Sequence, residues 1–563
     1  STACQLIFSQ LQDMAQLLRE RRTRKRMPRM KSTASLLSII ALGLGFISCS
    51  GGGGGGGGSS TPAVAVSTTA ANYGVVDNSY TSTLVATGGT PPFTWTDVDN
   101  TLPLGLVFDT ATGIISGTPT ATTAHAFTEI FLVTDSGGRT ASGPVTLRIR
   151  PRTDRASVNS AGNSITGSSN TEPSISRTSG RFIAFSSTAS LVTGVTGNQV
   201  YVHDRQTGQP SLVSQSSAGV PGTGGTSNAP SISADGRFIA FVSTANLTGA
   251  PGKQVYRHDR QNGQTILVSK DSNGAPSIGA ENNSPSISAD GRFIAYVSDA
   301  ANLVPSVNGQ QIYLHDTQTS VTFPNGQTTL VSKNGAGAPA TAGSTNTSPS
   351  ISGNGRFIVF ASDATNLGTT GAQQVYLHDT QGGQTILISK NNDPTPAQGN
   401  GDSSAPSISS DGCFVAFTSA STNLDDPAAN QIYVRGPLVD AGCVGPERTT
   451  LVSKNSSGVV GNGLLNSSPV ISATGRFIAF VSNAANLVPG VSGQQIYCHD
   501  TQTSGAFPHG QNVVVSLNSA GLPGGSSTAP SMTDDGGFIT FSSSAPLIFP
   551  AAASDVYVRA VLP

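Results

Sequence analysis

Charge is scarce in this chain. Of its 563 residues only 11% are Asp, Glu, Lys or Arg, against about 25% in an average soluble protein. Residues 1–48 hold 8 of the 30 Lys and Arg and 2 of the 31 Asp and Glu, so the remainder carries 22 basic and 29 acidic groups, a balance of −7. Such a body has little field with which to draw a polyanion, which excludes nucleic acid as an expected partner. Tryptophan is nearly absent as well. The single one, Trp95, lies in the first third of the chain, so the rest has no tryptophan platform for stacking sugars. No apolar run reaches the roughly 20 residues of a comfortable membrane span. There is no GxSxG elbow, no zinc-ligand spacing, and no glycine-rich loop in a strand–helix context. No additional α/β domain is expected. No catalytic residue, metal or cofactor is therefore expected.

What is present starts with an address. Arg29 and Lys31 precede an apolar run from Leu36 to Ile47, which ends at Ser48-Cys49. A basic segment, about a dozen apolar residues and then small residues make an export signal. Ending at a cysteine, it resembles a bacterial lipoprotein signal, with Phe46 where that family prefers Leu. The resemblance implies that Cys49 is acylated. Ser50 stands where an Asp would imply retention at the inner membrane, so the implied address is the outer membrane, facing periplasm or cell surface. Residues 1–26 read as an amphipathic basic helix. They are expected either to precede the true start, at Met27 or Met30, or to belong to a long signal region. Residues 49–60, with the glycine run from Gly51 to Gly58, read as a flexible tether.

Residues 61–152 alternate apolar and polar residues between turn signals, the pattern of a small β-sandwich. The stretch LPLGLVFDTATGIISGTPT, Leu102 to Thr120, resembles the immunoglobulin-like domains common in bacterial surface proteins. That resemblance implies a spacer. Asp109 and Asp135 are too few carboxylates for a calcium site, which takes 6–8 oxygens.

The remainder, 153–563, is a repeat array. Pro-Ser-Ile-Ser starts at Pro173, Pro230, Pro285, Pro349 and Pro406, with variants at Pro469 and Pro530, spaced 55 to 64 residues apart. One unit reads as four strands: PSIS after Ser284, Arg292–Ser298, Gln311–Asp316 and Gln327–Lys333, with a tight turn at Ala289-Asp290-Gly291. Four antiparallel strands repeated seven times describe a β-propeller. The stretch Ser-Ala-Asp-Gly-Arg-Phe-Ile-Ala-Phe at 233–241 is similar to the blade motif of TolB-type propellers, which implies that fold and no particular activity. Val304 to Gly309 replace the calcium loop of some relatives, so no calcium is carried over. The expected fold is thus all-β: a seven-bladed propeller, its N- and C-terminal segments sharing the last blade, after an Ig-like sandwich. Residues 155–160 are expected to be the outermost strand of that last blade, pairing with 555–559.

Recurring polar pairs invite chemical readings. His-Asp, as at 315–316, and Ser-Lys, as at 332–333, could suggest acid–base or nucleophilic sites. Adjacent strand residues point to opposite faces, and equivalent positions in neighbouring blades lie roughly 10 Å apart, so turn bonding and edge protection are expected instead. The Arg of each Gly-Arg-Phe reads as a packing or turn-bonding residue. Asn246, Asn302, Asn366, Asn423 and Asn486 shape the loops around one channel mouth and are the candidate ligand contacts. Cys413 replaces one Gly-Arg-Phe arginine, and Cys443 lies in an insertion between the third and fourth strands of the same blade. First and third turns of a meander share a face, so a Cys413–Cys443 disulfide is expected, with Cys498 free. The functional expectation is a lipid-anchored, monomeric, non-catalytic binding or scaffold protein of the cell envelope, engaging a protein or glycan. The alternative is a hydrolase or lyase acting on envelope or extracellular polysaccharide at the channel.

Overall fold

A computed structural model describes residues 62–561, apart from 76–78, 121–126, 151–152, 280, 369–370, 426–429, 504–508, 519–521, 545–546 and 549–552. The Cys49 lipidation site lies outside the described residues. Among the described residues no helix is long and apolar enough to cross a membrane.

The first domain is a β-sandwich. One sheet runs Ala70–Val75, Thr140–Arg150, Phe127–Thr134, Thr94–Asp97, the first pair parallel; the other runs Tyr80–Thr83, Ile114–Gly117, Leu106–Asp109. Alternating strand residues send Trp95, Ile115, Phe131, Val133 and Val145 into one core. Gly113 sits at φ +70°, where a Cβ would press on the Trp95 ring, so the turn needs glycine twice over. Asp109 accepts from the Ala111 and Thr112 amides, and Asp135 from those of Thr90, Gly137 and Arg139. Both carboxylates hold their own corners.

Residues 153–560 form a β-propeller built from repeated four-stranded antiparallel sheets, of which seven lie among the described residues. We number these blades by their first strands, from Asn170–Ile175 in blade one to Ser527–Met532 in blade seven. Blade three shows why the recurring phrase folds as it does. Its strands are Asn283–Ile287, Phe293–Ser298, Gln311–Asp316 and Gln327–Leu330. In the turn, Ser288 Oγ accepts the Phe293 amide and donates to Asp290, whose carboxylate also takes the Arg292 amide. Gly291 has φ +75°, and a Cβ there would collide with the Phe238 ring of blade two. The turn glycine therefore serves both backbone conformation and blade contact. Ile294, Tyr296 and Tyr313 pack with Val242, Val255 and Val268 of blade two. A single blade would leave these apolar faces wet; its neighbour covers them.

The first strands of successive blades touch one another, and blade seven touches blade one. A belt of backbone bonds follows them: Ala234 N–H to Ala289 O, Ala289 N–H to Gly353 O, Gly353 N–H to Ser410 O, and so on to Asp534 N–H to Arg177 O and Thr178 N–H to Ala234 O.

The last blade takes its outer strand from the other end of the propeller. Thr153–Arg155 pairs antiparallel with Asp555–Ala560, Thr153 opposite Arg559 and Arg155 opposite Tyr557. The partner agrees with the sequence reading, but the strand lies earlier than the expected 155–160. Beyond Ala156, whose amide bonds Val556 O, the backbone turns back and Val158 N–H bonds Ala156 O. Lys333 does the same to Val331 O in blade three, so every outer strand ends before its Ser-Lys or equivalent.

Candidate functional site

The channel is lined by the first strands. Each carries a bulge just before its proline, and the bulged residue has positive φ: 55° at Glu172, 50° at Ser284, 51° at Ala529. Non-glycine residues seldom adopt this conformation, yet every first strand repeats it. At this level the wall carries alanine (Ala229, Ala405, Ala529) or serine (Ser284, Ser348, Ser468), and in blade one Glu172. Glu172 is exposed. Its Oε2 accepts the Ser186 hydroxyl at 2.9 Å and the Ala229 amide at 2.7 Å, which fixes the carboxylate over the junction of blades one and two.

One level further in stands a partial ring of serines. Ser174, Ser231, Ser286 and Ser350 each accept the isoleucine amide of the next blade, and Ser531 of blade seven accepts that of Ile175 in blade one, all at 3.2 Å. Blade six has Val470 at this level.

At the end with the first turns, side chains join consecutive blades on one side of the ring. Arg177 pairs with Asp534 at 3.0 Å and donates to Ile471 O at 2.9 Å; Ser410 donates to Asp534 at 2.6 Å. The consecutive blades five, six, seven and one are thus tied together at this end. Burial lowers the Arg177 pKa below the usual guanidinium value, against the opposing pull of Asp534.

At the other mouth, the candidate asparagines are mostly engaged. Asn302 donates to Pro276 O and accepts from Ile278 N–H; Asn366, Asn423 and Asn486 make the same two-ended clamp on the strand entering their own blade. Asn246 accepts the Gly249 amide within its loop. A carboxamide has the donor and acceptor of a peptide unit, so it substitutes for a missing backbone pair.

The recurring pairs are structural in geometry. Arg292 Nε and Nη2 bond the two oxygens of Asp316 at 2.7 and 2.6 Å, and the same clamp joins Arg181 to Asp204, Arg237 to Asp259, Arg356 to Asp379 and Arg476 to Asp500. The expected bond from Asp316 to its own turn is also present, to the Gln318 amide. His315 Nδ1 meets Thr328 Oγ1 at 2.9 Å, and that hydroxyl donates to Lys270 O of blade two. The hydroxyl proton is thereby committed, so His315 carries its hydrogen on Nδ1. Its Nε2 is buried without a hydrogen-bond partner among the described residues. Ser332 Oγ accepts the Ile312 amide and donates to Gln311, so the Ser-Lys serine is spent on the blade as well.

Blade five breaks the pattern. Cys413 and Gly436 replace arginine and aspartate together, and a disulfide joins Cys413 to Cys443 with Cα atoms 5.8 Å apart. Arg435, in the histidine position, reaches Thr449 Oγ1 and Lys390 O directly and pairs with Glu447. Cys498 is a buried free thiol.

Sequence reasoning overlooked Glu172, Arg177 and Asp534. Comparing the repeats position by position supplies the missing signal: Glu172 stands where the other blades have alanine or serine, and Arg177 and Asp534 share one repeat position that is alanine, glycine or serine in the other five blades.

A family model described as "Putative Ig domain" matches residues 58–150. No curated protein sequence matches the chain. Among solved structures, oligogalacturonate lyase from Vibrio parahaemolyticus is similar at 11% identity over 78% of this chain and 99% of that one, with a TM-score of 0.45. The β-propeller domain of the Trilobed protease from Pyrococcus furiosus is similar at 9% identity over 79% and 97%, with a TM-score of 0.34. Prolyl oligopeptidase B from Galerina marginata is similar at 8% identity over 67% of this chain and 47% of that one, with a TM-score of 0.39. Residues 58–150 are an Ig-like domain, carried on the same chain as a β-propeller.

Proposed function

We propose that this chain is an exported, lipid-anchored, non-catalytic binding protein of a bacterial envelope. Its Gly-rich tether and Ig-like spacer carry a seven-bladed, TolB-type propeller, closed by its own first and last segments, that engages a protein or glycan at the channel mouth. The reading is carried by the channel wall. At the level of the bulges it is small and neutral apart from Glu172. Cleaving a glycosidic bond usually takes two carboxylates about 5–10 Å apart; the six positions equivalent to Glu172 carry alanine or serine. Arg177 and Asp534, where the first turns meet, are paired with each other. Cys49 acylation supplies the anchor, and the mature chain begins there.

The test uses full-length protein with Cys49→Ser to keep it in solution, immobilised and exposed to the protein and glycan fractions of an envelope extract. Retention of a component that is lost in Glu172→Lys supports binding. Release of new reducing ends or unsaturated products from envelope polysaccharide, abolished by Glu172→Gln, would replace this reading with an enzyme. Mass spectrometry of the membrane-bound form should find diacylglycerol on Cys49.

A further inference from the structure

In blades one to six the third and fourth strands follow each other along the chain, so their pairing is local. Blade seven has no such guide. Its outer strand, Thr153–Arg155, lies at the opposite end of the propeller sequence from Asp555–Ala560. Six other outer strands of similar sequence, such as Thr329-Leu330-Val331-Ser332-Lys333, are built to fill the same slot. Loop-closure entropy discriminates only weakly between such competitors.

Two residues set the seam apart. In blade three the corresponding positions are Gln311 and Leu330; in blade five, Gln431 and Leu451; in blade six, Gln495 and Val514. In blade seven they are Asp555 and Arg155. Both are almost completely buried, 1% and 6% exposed, and Arg155 Nε lies 3.1 Å from Asp555 Oδ2. Asp555 also accepts the Ser157 hydroxyl at 2.7 Å, and Arg155 donates to Ile548 O and stands over the Tyr557 ring. Any other outer strand would place Leu or Val against Asp555 and leave a buried carboxylate without its cation, which is strongly disfavoured. A slip in register would do the same.

We infer that the Arg155–Asp555 pair is the lock that selects which strand closes the propeller: it admits Thr153–Arg155 in one register and rejects every other outer strand, from the same chain or another copy. Its role is specificity, as a buried polar pair can set register elsewhere.

Charge reversal in the full chain tests this. Arg155→Asp and Asp555→Arg each place like charges in the slot. Each should speed hydrogen exchange at the Ala156 amide at least tenfold, and the double reversal should restore protection. Co-refolding the two single variants should give a dimer by light scattering, because each supplies the charge the other lacks. The neutral pair Arg155→Leu with Asp555→Gln copies blade three and keeps the slot filled. It should fold yet bind a synthetic peptide of residues 325–334 that wild type excludes. Unchanged protection in both single reversals, or a neutral variant that excludes the peptide as wild type does, overturns the lock.

Discussion

Arg292 grips Asp316 with both ends of its guanidinium, Nε to Oδ1 at 2.7 Å and Nη2 to Oδ2 at 2.6 Å, and lays its plane 4.5 Å from the centre of the Phe293 ring. The arginine just before the second strand thus ties off the end of the third. Five blades repeat the clamp, and both blades that lack it, five and seven, lose arginine and aspartate together: Cys413 with Gly436, Gly537 with Ala560.

Because the clamp is half-exposed, 41% at Arg292 and 22% at Asp316, solvent screens it and one clamp contributes no more than about 1 kcal/mol. Arg292→Ala should lower the denaturation midpoint slightly, and 1 M salt should shrink the difference from wild type. An equal loss at high salt would assign the effect to packing on Phe293.

Acid should weaken the clamps late. Hydrogen bonds from Arg356 outweigh burial and hold Asp379 at about 2. A carboxylate depressed in the folded state stabilises above its unfolded value, about 3.9, and that contribution is lost as pH falls through the folded value. Urea titrations between pH 4 and pH 2 should therefore show a falling stability that is flatter in Arg356→Gln.

The interblade histidines should act earlier. Burial pushes His258, His378 and His499 down to about 4 and His315 to about 3, with Lys270 adding to the effect at His315. A base depressed on folding is neutral in the native state while the unfolded chain takes up its proton below about 6.5. Stability should be full above pH 6.5 and decline until about pH 4, with a slope approaching four protons. His315→Gln should reduce that slope by about one proton. A flat profile from pH 7 to 4 would mean that the rings are not held neutral.

The Cys413–Cys443 bridge spans 30 residues. In the chain-entropy account such a loop contributes about 3–4 kcal/mol. Dithiothreitol, or the Cys413→Ser and Cys443→Ser pair, should lower the melting temperature by several degrees, and a thiol count on oxidised, unfolded propeller should find only Cys498 reactive.

Cys498 itself is pushed up to about 12, chiefly by burial. The thiolate is the reactive form. Iodoacetamide should therefore leave native Cys498 unmodified at pH 8 and label it at the rate of unfolding in denaturant. Labelling at a rate independent of denaturant would show that blade six opens locally.

Much of the fold was legible because strand chemistry repeats. Period-two alternation, Asp-Gly turns and the Gln-Ile-Tyr strand mark the middle strands, and Gln311–Asp316 was read to the residue. Strand ends were less legible: the first strand of blade three begins at Asn283, ahead of its Pro-Ser-Ile-Ser, because a bulge lets the residues before the proline rejoin the ladder. The candidate site was hardly legible. The asparagines expected to contact a ligand also bond nearby backbone, while Glu172, Arg177 and Asp534 go unnoticed because each looks ordinary beside its sequence neighbours.

The local pattern of the chain by itself determined the strands, the turns, the sandwich and the repeated four-stranded sheets, since these depend on contacts within some sixty residues and on which face each side chain takes. Only the tertiary structure decided what lies between blades: that each turn glycine faces a phenylalanine of the preceding blade, that His315 reaches Lys270 O through a threonine, that Arg177 of blade one meets Asp534 of blade seven, and that Arg155 finds Asp555. These partners belong to different repeats or to opposite ends of the propeller. Their meeting depends on how the sheets stack around the axis, and sequence spacing carries no measure of that distance.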